Sequence, residues 1–171
     1  RCDFLNQAAQ IPGIYVPGCY TTEYNEDGTI KERTAHWGAP ERVKKELVKE
    51  LTLSPYPEKP VVPYIKATQD RVVLEIQRGC IRGCRFCQAG YLYRPVREKS
   101  SKTLCEQGMK IMKSTGYDDL GILSLSTSDY SDLHELTDGF LKEFEPKHQS
   151  LSLPSLRIDN FALELMEKVS R

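Results

Sequence analysis

The chain has 171 residues, of which 39% are hydrophobic and 28% are charged, and this composition is typical of one folded globular domain. Lysine plus arginine equals aspartate plus glutamate at 24 each, so the charge balance does not indicate nucleic acid as a partner. No apolar stretch approaches the roughly 18 residues that span a bilayer, and no signal-peptide pattern opens the chain, so we expect a cytoplasmic protein without a membrane partner.

The first 63 residues are predicted to form a linker region, which opens with a helical remnant over residues 2–10. That remnant indicates a fragment of a longer protein. Asp27-Gly28 lies between two extended runs, and this is a strong signal for a β-hairpin with strands near 14–24 and 29–35.

The rest of the linker region is predicted to be a helix followed by a stiff connection. After Pro40, apolar residues recur at helical spacing among lysines and glutamates, which predicts a helix over about 40–51. The prolines between residues 55 and 63 resist both helix and sheet, so they predict an extended connection and a domain boundary before residue 64.

Residues 64–171 are predicted to form an α/β domain, because strand and helix patterns alternate along them. Such alternation favours right-handed βαβ units and a parallel sheet. The predicted strands cover residues 72–76, 120–125 and 150–156. The predicted helices run from a cap at Ser100 or Ser101 to a stop at Gly116, from Asp129 or Ser131 to Pro146, and over residues 161–169.

Three cysteines follow the first of these strands. Cys80, Cys84 and Cys87 have C-x3-C-x2-C spacing, which supplies three thiolates within one short loop. Iron–sulfur clusters and structural zinc sites usually take four ligands, so this set leaves one coordination position open. The loop would lie at the C-terminal end of a parallel strand, where α/β sheets and barrels place their sites. We do not expect a disulfide framework in an α/β chain of this length.

The spacing, with Phe86 directly before the last cysteine, resembles the cluster-binding loop of the radical S-adenosylmethionine superfamily. The longer string from Glu75 to Glu98, including Gln88-Ala-Gly-Tyr91 and Tyr93-Arg-Pro-Val-Arg97, is similar to a bacterial subgroup in which this domain follows a cobalamin-binding-type domain. The resemblance implies that the three cysteines hold a 4Fe-4S cluster whose fourth iron binds S-adenosylmethionine. Cleavage of the sulfonium then gives methionine and a 5'-deoxyadenosyl radical.

The resemblance also implies the fold. The superfamily has a partial (βα)6 TIM-like barrel, and residues 64–171 have room for about three βα units, which is its N-terminal half. We therefore expect the enzyme activity to belong to the full-length parent and the fragment to be inactive. A sheet cut midway leaves an unpaired edge, through which we expect the fragment to self-associate.

Two further contacts with S-adenosylmethionine are predicted, the first from the resemblance and the second from the chemistry of arginine. Phe86 would stack on the adenine, and the alternative is a core phenylalanine that packs the loop onto the sheet. Arg94 or Arg97 would bind the methionine carboxylate through the planar guanidinium, and the alternative is a solvated basic loop.

Ser126, Thr127 and Asp129 follow the second strand, where related enzymes often carry a Gly-Gly-Glu-Pro-like stretch that binds the amino group of S-adenosylmethionine. The glycines and the glutamate are absent here. The hydroxyl groups and the Asp129 carboxylate would replace them, whereas the alternative makes Ser128 or Asp129 the N-cap of the next helix.

Other functions remain open. One alternative is a non-catalytic binding module stabilised by zinc or a cluster, in which a zinc knuckle would be completed by Cys105, His36 or His134. Another alternative is a methylthiotransferase-like RNA-modifying enzyme, which would share the cluster loop. For the leading hypothesis, the expected electron donor is a flavodoxin or ferredoxin, and cobalamin would take part through a domain outside this chain. The sequence does not identify the substrate.

Overall fold

The computed structural model describes residues 2–157 and 167–168. The chain divides into two compact units, residues 1–48 and residues 49–171. The boundary expected before residue 64, between the linker region and the α/β domain, stays a prediction.

The N-terminal unit contains the predicted hairpin. Helix α1 (Cys2–Ala8) is followed by β1 (Tyr20–Tyr24) and β2 (Ile30–Ala35), which pair antiparallel. In the turn, the Asp27 carboxylate accepts a hydrogen bond from the Thr29 N–H at 2.9 Å. Strand β1 starts later than predicted, because Pro17–Cys19 forms a 3-10 turn in front of it.

The predicted helix over residues 40–51 is wrong. No helix is present between residues 40 and 50, and Leu51–Leu53 forms only a 3-10 turn. Leu47 and Val48 are 38% and 50% exposed while Leu51 is buried, so the apolar residues are not buried together as one helical face. A helix of this length depends on such burial, because its hydrogen bonds alone make it only marginally stable in water.

The C-terminal unit is built on a parallel sheet, which confirms the α/β class. Its strands are β3 (Val72–Glu75), β4 (Gln77–Arg78), β5 (Arg97–Glu98), β6 (Asp119–Leu123) and β7 (Ser150–Ser152), and its helices are α2 (Gln88–Leu92), α3 (Ser101–Thr115) and α4 (Leu133–Phe144). Strands β3, β6 and β7 pair parallel in that order, while β4 and β5 form a separate antiparallel pair. The predicted third helix at 161–169 lies almost entirely outside the described residues.

Helix α3 begins and ends where its sequence signals predict. The Ser100 hydroxyl accepts a hydrogen bond from the Thr103 N–H, and Gly116 ends the helix with a left-handed φ of 74°. Strand β7, in contrast, is shorter than predicted and ends before Pro154.

The predicted opening of α4 at Asp129 or Ser131 is wrong. Thr127–Asp129 forms a separate 3-10 turn, and α4 begins at Leu133. The Asp129 carboxylate does not cap the helix, because it accepts hydrogen bonds from Arg82 and Ser126.

The core lies between one face of the sheet and the helices α3 and α4. Side chains alternate between the two faces of a strand, so Leu74 and Ile122 point to the helices while Val73 and Leu123 point to the opposite face. Val73 is 41% exposed and Leu123 is 53% exposed. The largest fully buried side chains of this core are Phe140, Phe144, Leu74, Ile76, Leu104, Leu120, Ile122 and Leu136.

The sheet is open within the described residues, and no closed barrel is present there. No helix in the described part of the chain has both the length and the hydropathy needed to cross a membrane.

Gly108 allows the close packing of α3 against α4 and β3. A Cβ atom at this position would lie 2.7 Å from Phe140 Cε1 and 3.0 Å from Leu74 Cδ1. We therefore expect Gly108→Ala to lower the free energy of unfolding by about 1–3 kcal/mol, despite the better helix propensity of alanine. Urea denaturation measures this change. Lys102→Ala, at an exposed position of the same helix, is the control and should change it by less than about 0.5 kcal/mol.

Candidate metal centre

The cysteine loop is closed at its base by two short strands. Strand β4 continues from β3, and Gln77 and Arg78 pair with Glu98 and Arg97 of β5. The chain between them, residues 79–96, leaves the end of β4 and returns through β5 to pair with β4. Because this excursion carries Cys80, Cys84 and Cys87, the ladder fixes the loop to the first strand of the parallel sheet.

Gly79 begins the excursion and has a φ of 94°. A Cβ atom here would lie 2.7 Å from the carbonyl oxygens of both Tyr93 and Pro95. Only glycine at position 79 therefore lets the two ends of the loop approach each other this closely.

All three cysteines are free thiols of intermediate burial. Cys80 Sγ accepts a hydrogen bond from the Arg82 N–H, and Cys87 Sγ accepts one from the Gly90 N–H, each at 3.4 Å. Arg157 Nη1 lies 3.9 Å from Cys84 Sγ. Each of the three sulfurs therefore faces an N–H donor.

The three sulfurs are not assembled into a coordination sphere. Among residues 2–157 and 167–168, no three His, Cys, Asp or Glu side chains are gathered as they would be around a metal ion. The assignment of these cysteines to a cluster therefore depends on the donor set and the loop, and it stays a prediction.

The residues proposed to complete a zinc knuckle have other contacts. Cys105 lies in the interface between α3 and α4, where its sulfur is 2.8 Å from the position of a Cβ atom on Gly139. Burial raises the pKa of the Cys105 thiol, which makes this group a poorer ligand. His36 Nε2 is hydrogen-bonded to the Thr21 hydroxyl at 2.8 Å, and His134 is exposed on α4.

Phe86 lies at the tip of the loop and is 92% exposed. The alternative that it packs the loop onto the sheet as a core residue is wrong. Its adenine contact stays a prediction.

Arg94 and Arg97 bind backbone carbonyl groups. Arg94 Nε donates to Cys80 O at 3.2 Å, and its Nη2 donates to Arg82 O at 2.9 Å and Ile81 O at 3.5 Å. Arg97 donates to Pro95 O at 3.2 Å and to Tyr93 O at 3.3 Å. Arg94 is nevertheless exposed, so both the carboxylate contact and the alternative of a solvated basic loop stay predictions.

The end of β6 is tied to the cysteine loop through Asp129. Arg82 Nε donates to Asp129 Oδ2 at 2.9 Å and Arg82 Nη2 to Oδ1 at 2.5 Å, while the Ser126 hydroxyl donates to Oδ2 at 2.8 Å. The Asp129 side chain is only 6% exposed. The structure thus brings Ser126 and Asp129 to the loop, and Thr127 is buried beside them with its hydroxyl 2.8 Å from that of Ser124.

Sequence reasoning missed Arg82 and Gln77. Gln77 Nε2 donates to Ser126 O at 2.6 Å, which is a second link between β4 and the end of β6. The sequence did contain a signal for Arg82, which is a cation between two cysteines with a carboxylate just after the neighbouring parallel strand. The C-terminal ends of neighbouring parallel strands lie side by side, so these two charges could be expected to meet.

A cavity of about 280 Å³ opens beside the loop at the ends of β3 and β6. Glu75 lines it and accepts two hydrogen bonds from Arg78, at 2.8 and 2.6 Å, so the wall charges offset each other. The Arg78 guanidinium lowers the pKa of Glu75 through these bonds. The lining residues are Glu75, Gln77, Arg78, Gly79, Tyr93, Leu123, Ser124 and Leu125.

The chain is similar to an uncharacterized protein of Methanocaldococcus jannaschii, with 33% identity over 129 residues. The match covers 74% of this chain but only 28% of that protein, so the chain spans about a quarter of the length of the curated relative. No family model matches the chain. No solved structure matches it either.

The Asp129–Arg82 ion pair gives a pH-dependent prediction. The Arg82 hydrogen bonds lower the pKa of Asp129, so this group stabilises the fold above its unfolded pKa of about 3.9, and the contribution is lost as the pH falls through the lower folded value. We expect Asp129→Asn to lower the free energy of unfolding at pH 7 by about 2 kcal/mol, because a neutral amide replaces the carboxylate that accepts the Arg82 hydrogen bonds.

Urea denaturation at pH 7 and at progressively lower pH measures the effect, and the difference from the wild type should shrink below about pH 4. Glu58→Gln removes the exposed Lys110–Glu58 pair and should cause no measurable change. A constant difference down to low pH would show that the carboxylate charge is not responsible.

Proposed function

We propose that this chain is a domain of a radical S-adenosylmethionine enzyme, in which Cys80, Cys84 and Cys87 hold a 4Fe-4S cluster. The observation that carries the proposal is the position of three free thiols in one closed loop, directly after the first strand of a parallel βαβαβ sheet. Binding and active sites of parallel α/β sheets lie at the C-terminal ends of the strands.

The donor set fits such a cluster. Three thiolates suit iron, and the N–H donors of Arg82 and Gly90 at two of the sulfurs offset the negative charge that iron–sulfur clusters carry. When bound, such a cluster supplies an electron to the sulfonium of S-adenosylmethionine, which gives methionine and a 5'-deoxyadenosyl radical. Free thiols persist in a reducing compartment, so we propose the cytoplasm as the location.

The residues around the loop would bind and orient the sulfonium ligand. The exposed ring of Phe86 suits stacking on the adenine, and the carboxylate of Asp129 would attract the ammonium group. Arg82 already binds this carboxylate, so Asp129 would act mainly by keeping the loop in place. The neighbouring cavity, which Leu123 and Leu125 line on its apolar side, would take the reacting part of the substrate.

We infer that turnover requires more than the strands described here. Parallel sheets are normally covered on both faces, whereas Val73 and Leu123 are partly exposed on the face opposite to α3 and α4. The proposed partial barrel would close over this face in a longer protein, and the flavodoxin or ferredoxin donor and any cobalamin domain belong to that larger assembly.

Anaerobic reconstitution with ferrous iron and sulfide tests the proposal. The chain should bind about four iron and four sulfide per protein, and the dithionite-reduced sample should give the EPR signal of a one-electron-reduced 4Fe-4S cluster. Adding S-adenosylmethionine should change that signal. One tightly bound zinc with four protein ligands, seen by metal analysis and X-ray absorption, would contradict the proposal and favour the non-catalytic binding module.

A further inference from the structure

Five carbonyl groups of the cysteine loop accept hydrogen bonds from donors within residues 79–96. Arg94 binds the carbonyl oxygens of residues 80, 81 and 82, and the Tyr91 hydroxyl donates to the carbonyl of Gly83 at 3.4 Å. The Cys87 N–H donates to the carbonyl of Cys84 at 3.0 Å. Five successive carbonyl groups, from residue 80 to residue 84, are thus hydrogen-bonded within the loop.

Arg94 is placed to bind three of these groups at once. Its guanidinium lies 5.2 Å from the centre of the Tyr91 ring, which supports it from one side. The planar fork of Arg94 gives donors in fixed directions, and a lysine ammonium could not reproduce this arrangement over three carbonyl groups.

Arg94 also affects the sulfurs, because each peptide unit is planar. The carbonyl and the N–H of one peptide unit point in opposite directions, so a side chain that holds the carbonyl also orients the N–H that follows. Arg94 holds the carbonyl of Ile81, and the N–H of the same peptide unit is that of Arg82, which donates to Cys80 Sγ.

From this geometry we infer that Arg94 is a positioning residue for the thiolates: it keeps the loop carbonyls occupied and aims the Arg82 N–H at Cys80. The inference rests on the proposed cluster for its functional meaning. Hydrogen bonds to cluster sulfurs stabilise the more negative, reduced state, so Arg94 raises the reduction potential of the bound cluster and brings it within reach of a biological electron donor.

The first test uses the chain without metal. At the Arg82 N–H, amide hydrogen exchange in Arg94→Met should be about tenfold faster than in the wild type. The reason is that loss of the hydrogen bond from the Arg82 N–H to Cys80 Sγ costs about 1.4 kcal/mol. Exchange in α3 should be unchanged, which shows that the fold is intact. Arg97→Met is the matched control, since it removes a neighbouring guanidinium that binds Tyr93 and Pro95 carbonyls instead.

The second test uses the reconstituted chain and measures the midpoint potential of the cluster by dithionite titration with EPR detection. Arg94→Met should lower the potential, Tyr91→Phe should lower it less, and Arg97→Met should leave it close to the wild-type value. Arg94→Lys keeps the positive charge but loses the planar guanidinium with its fixed donors, so its potential should resemble that of Arg94→Met.

The two tests separate the inference from the proposed function. Unchanged exchange at Arg82 in Arg94→Met, or a potential fully restored by Arg94→Lys, would overturn the positioning role while leaving the cluster proposal intact. Failure of the wild type to bind a cluster would refute the proposed function, and the exchange measurement would still decide whether Arg94 orders the loop.

Discussion

Replacing any one of Cys80, Cys84 and Cys87 by alanine is expected to abolish cluster binding in an anaerobically reconstituted chain. Iron, sulfide and the visible absorption of the cluster should fall by more than about tenfold relative to the wild type, because even the loss of a supporting contact costs metal sites tenfold or more and each cysteine is proposed as a direct ligand. All three substitutions should have this effect, since the proposed cluster would use all three thiols of the loop and leave its fourth position for the sulfonium ligand. Metal analysis and absorption spectroscopy measure the result.

Cys105→Ala is the matched control for these variants. Cys105 is also a free cysteine of intermediate burial, but its sulfur packs against Gly139 between α3 and α4. Its replacement should leave the iron content unchanged and should alter stability only slightly, because alanine removes a small buried group at a crowded contact. If Cys105→Ala lost the metal as well, Cys105 would be a fourth ligand, and the open coordination position would be refuted.

The fold could be predicted from the sequence wherever a local signal and burial agree. Helix α3 has both a serine cap at Ser100 and a glycine stop at Gly116, and its apolar stripe faces the sheet, so its bounds are as predicted. Residues 40–51 have the same periodicity, but Leu47 and Val48 of that stripe are exposed. Periodicity states which face a helix would bury, and it does not state whether a partner for that face exists.

The site shows the same division. The spacing of the cysteines and their place after β3 follow from the sequence, because both are properties of a short segment. The pairing of Arg82 with Asp129 joins residues 47 positions apart, and such a pair depends on the parallel register of β3 and β6. Asp129 has the right residue type and place for a helix cap, yet the partly buried guanidinium of Arg82 is a stronger partner for a carboxylate than a backbone N–H.

Gly79→Ala is expected to be the most damaging single substitution in the loop that leaves every cysteine in place. An alanine at a φ of 94° is strained by about 1–2 kcal/mol, and its Cβ atom would lie 2.7 Å from two backbone carbonyl oxygens that cannot rotate away. The strands β4 and β5 would have to separate, which opens the base of the loop. We expect the free energy of unfolding to fall by about 3 kcal/mol or more and cluster binding to be lost.

Gly83→Ala distinguishes this geometric effect from a general sensitivity of the loop. Gly83 lies between Cys80 and Cys84, its φ is not positive, and a Cβ atom there meets nothing within 4 Å. Its replacement should therefore leave both the urea midpoint and the iron content close to the wild-type values. Because the two glycines lie in the same loop and undergo the same change, the difference between the variants measures how much the cysteines depend on the closed β4–β5 base. Equal behaviour of the two variants would mean that the base of the loop does not control the position of the thiols.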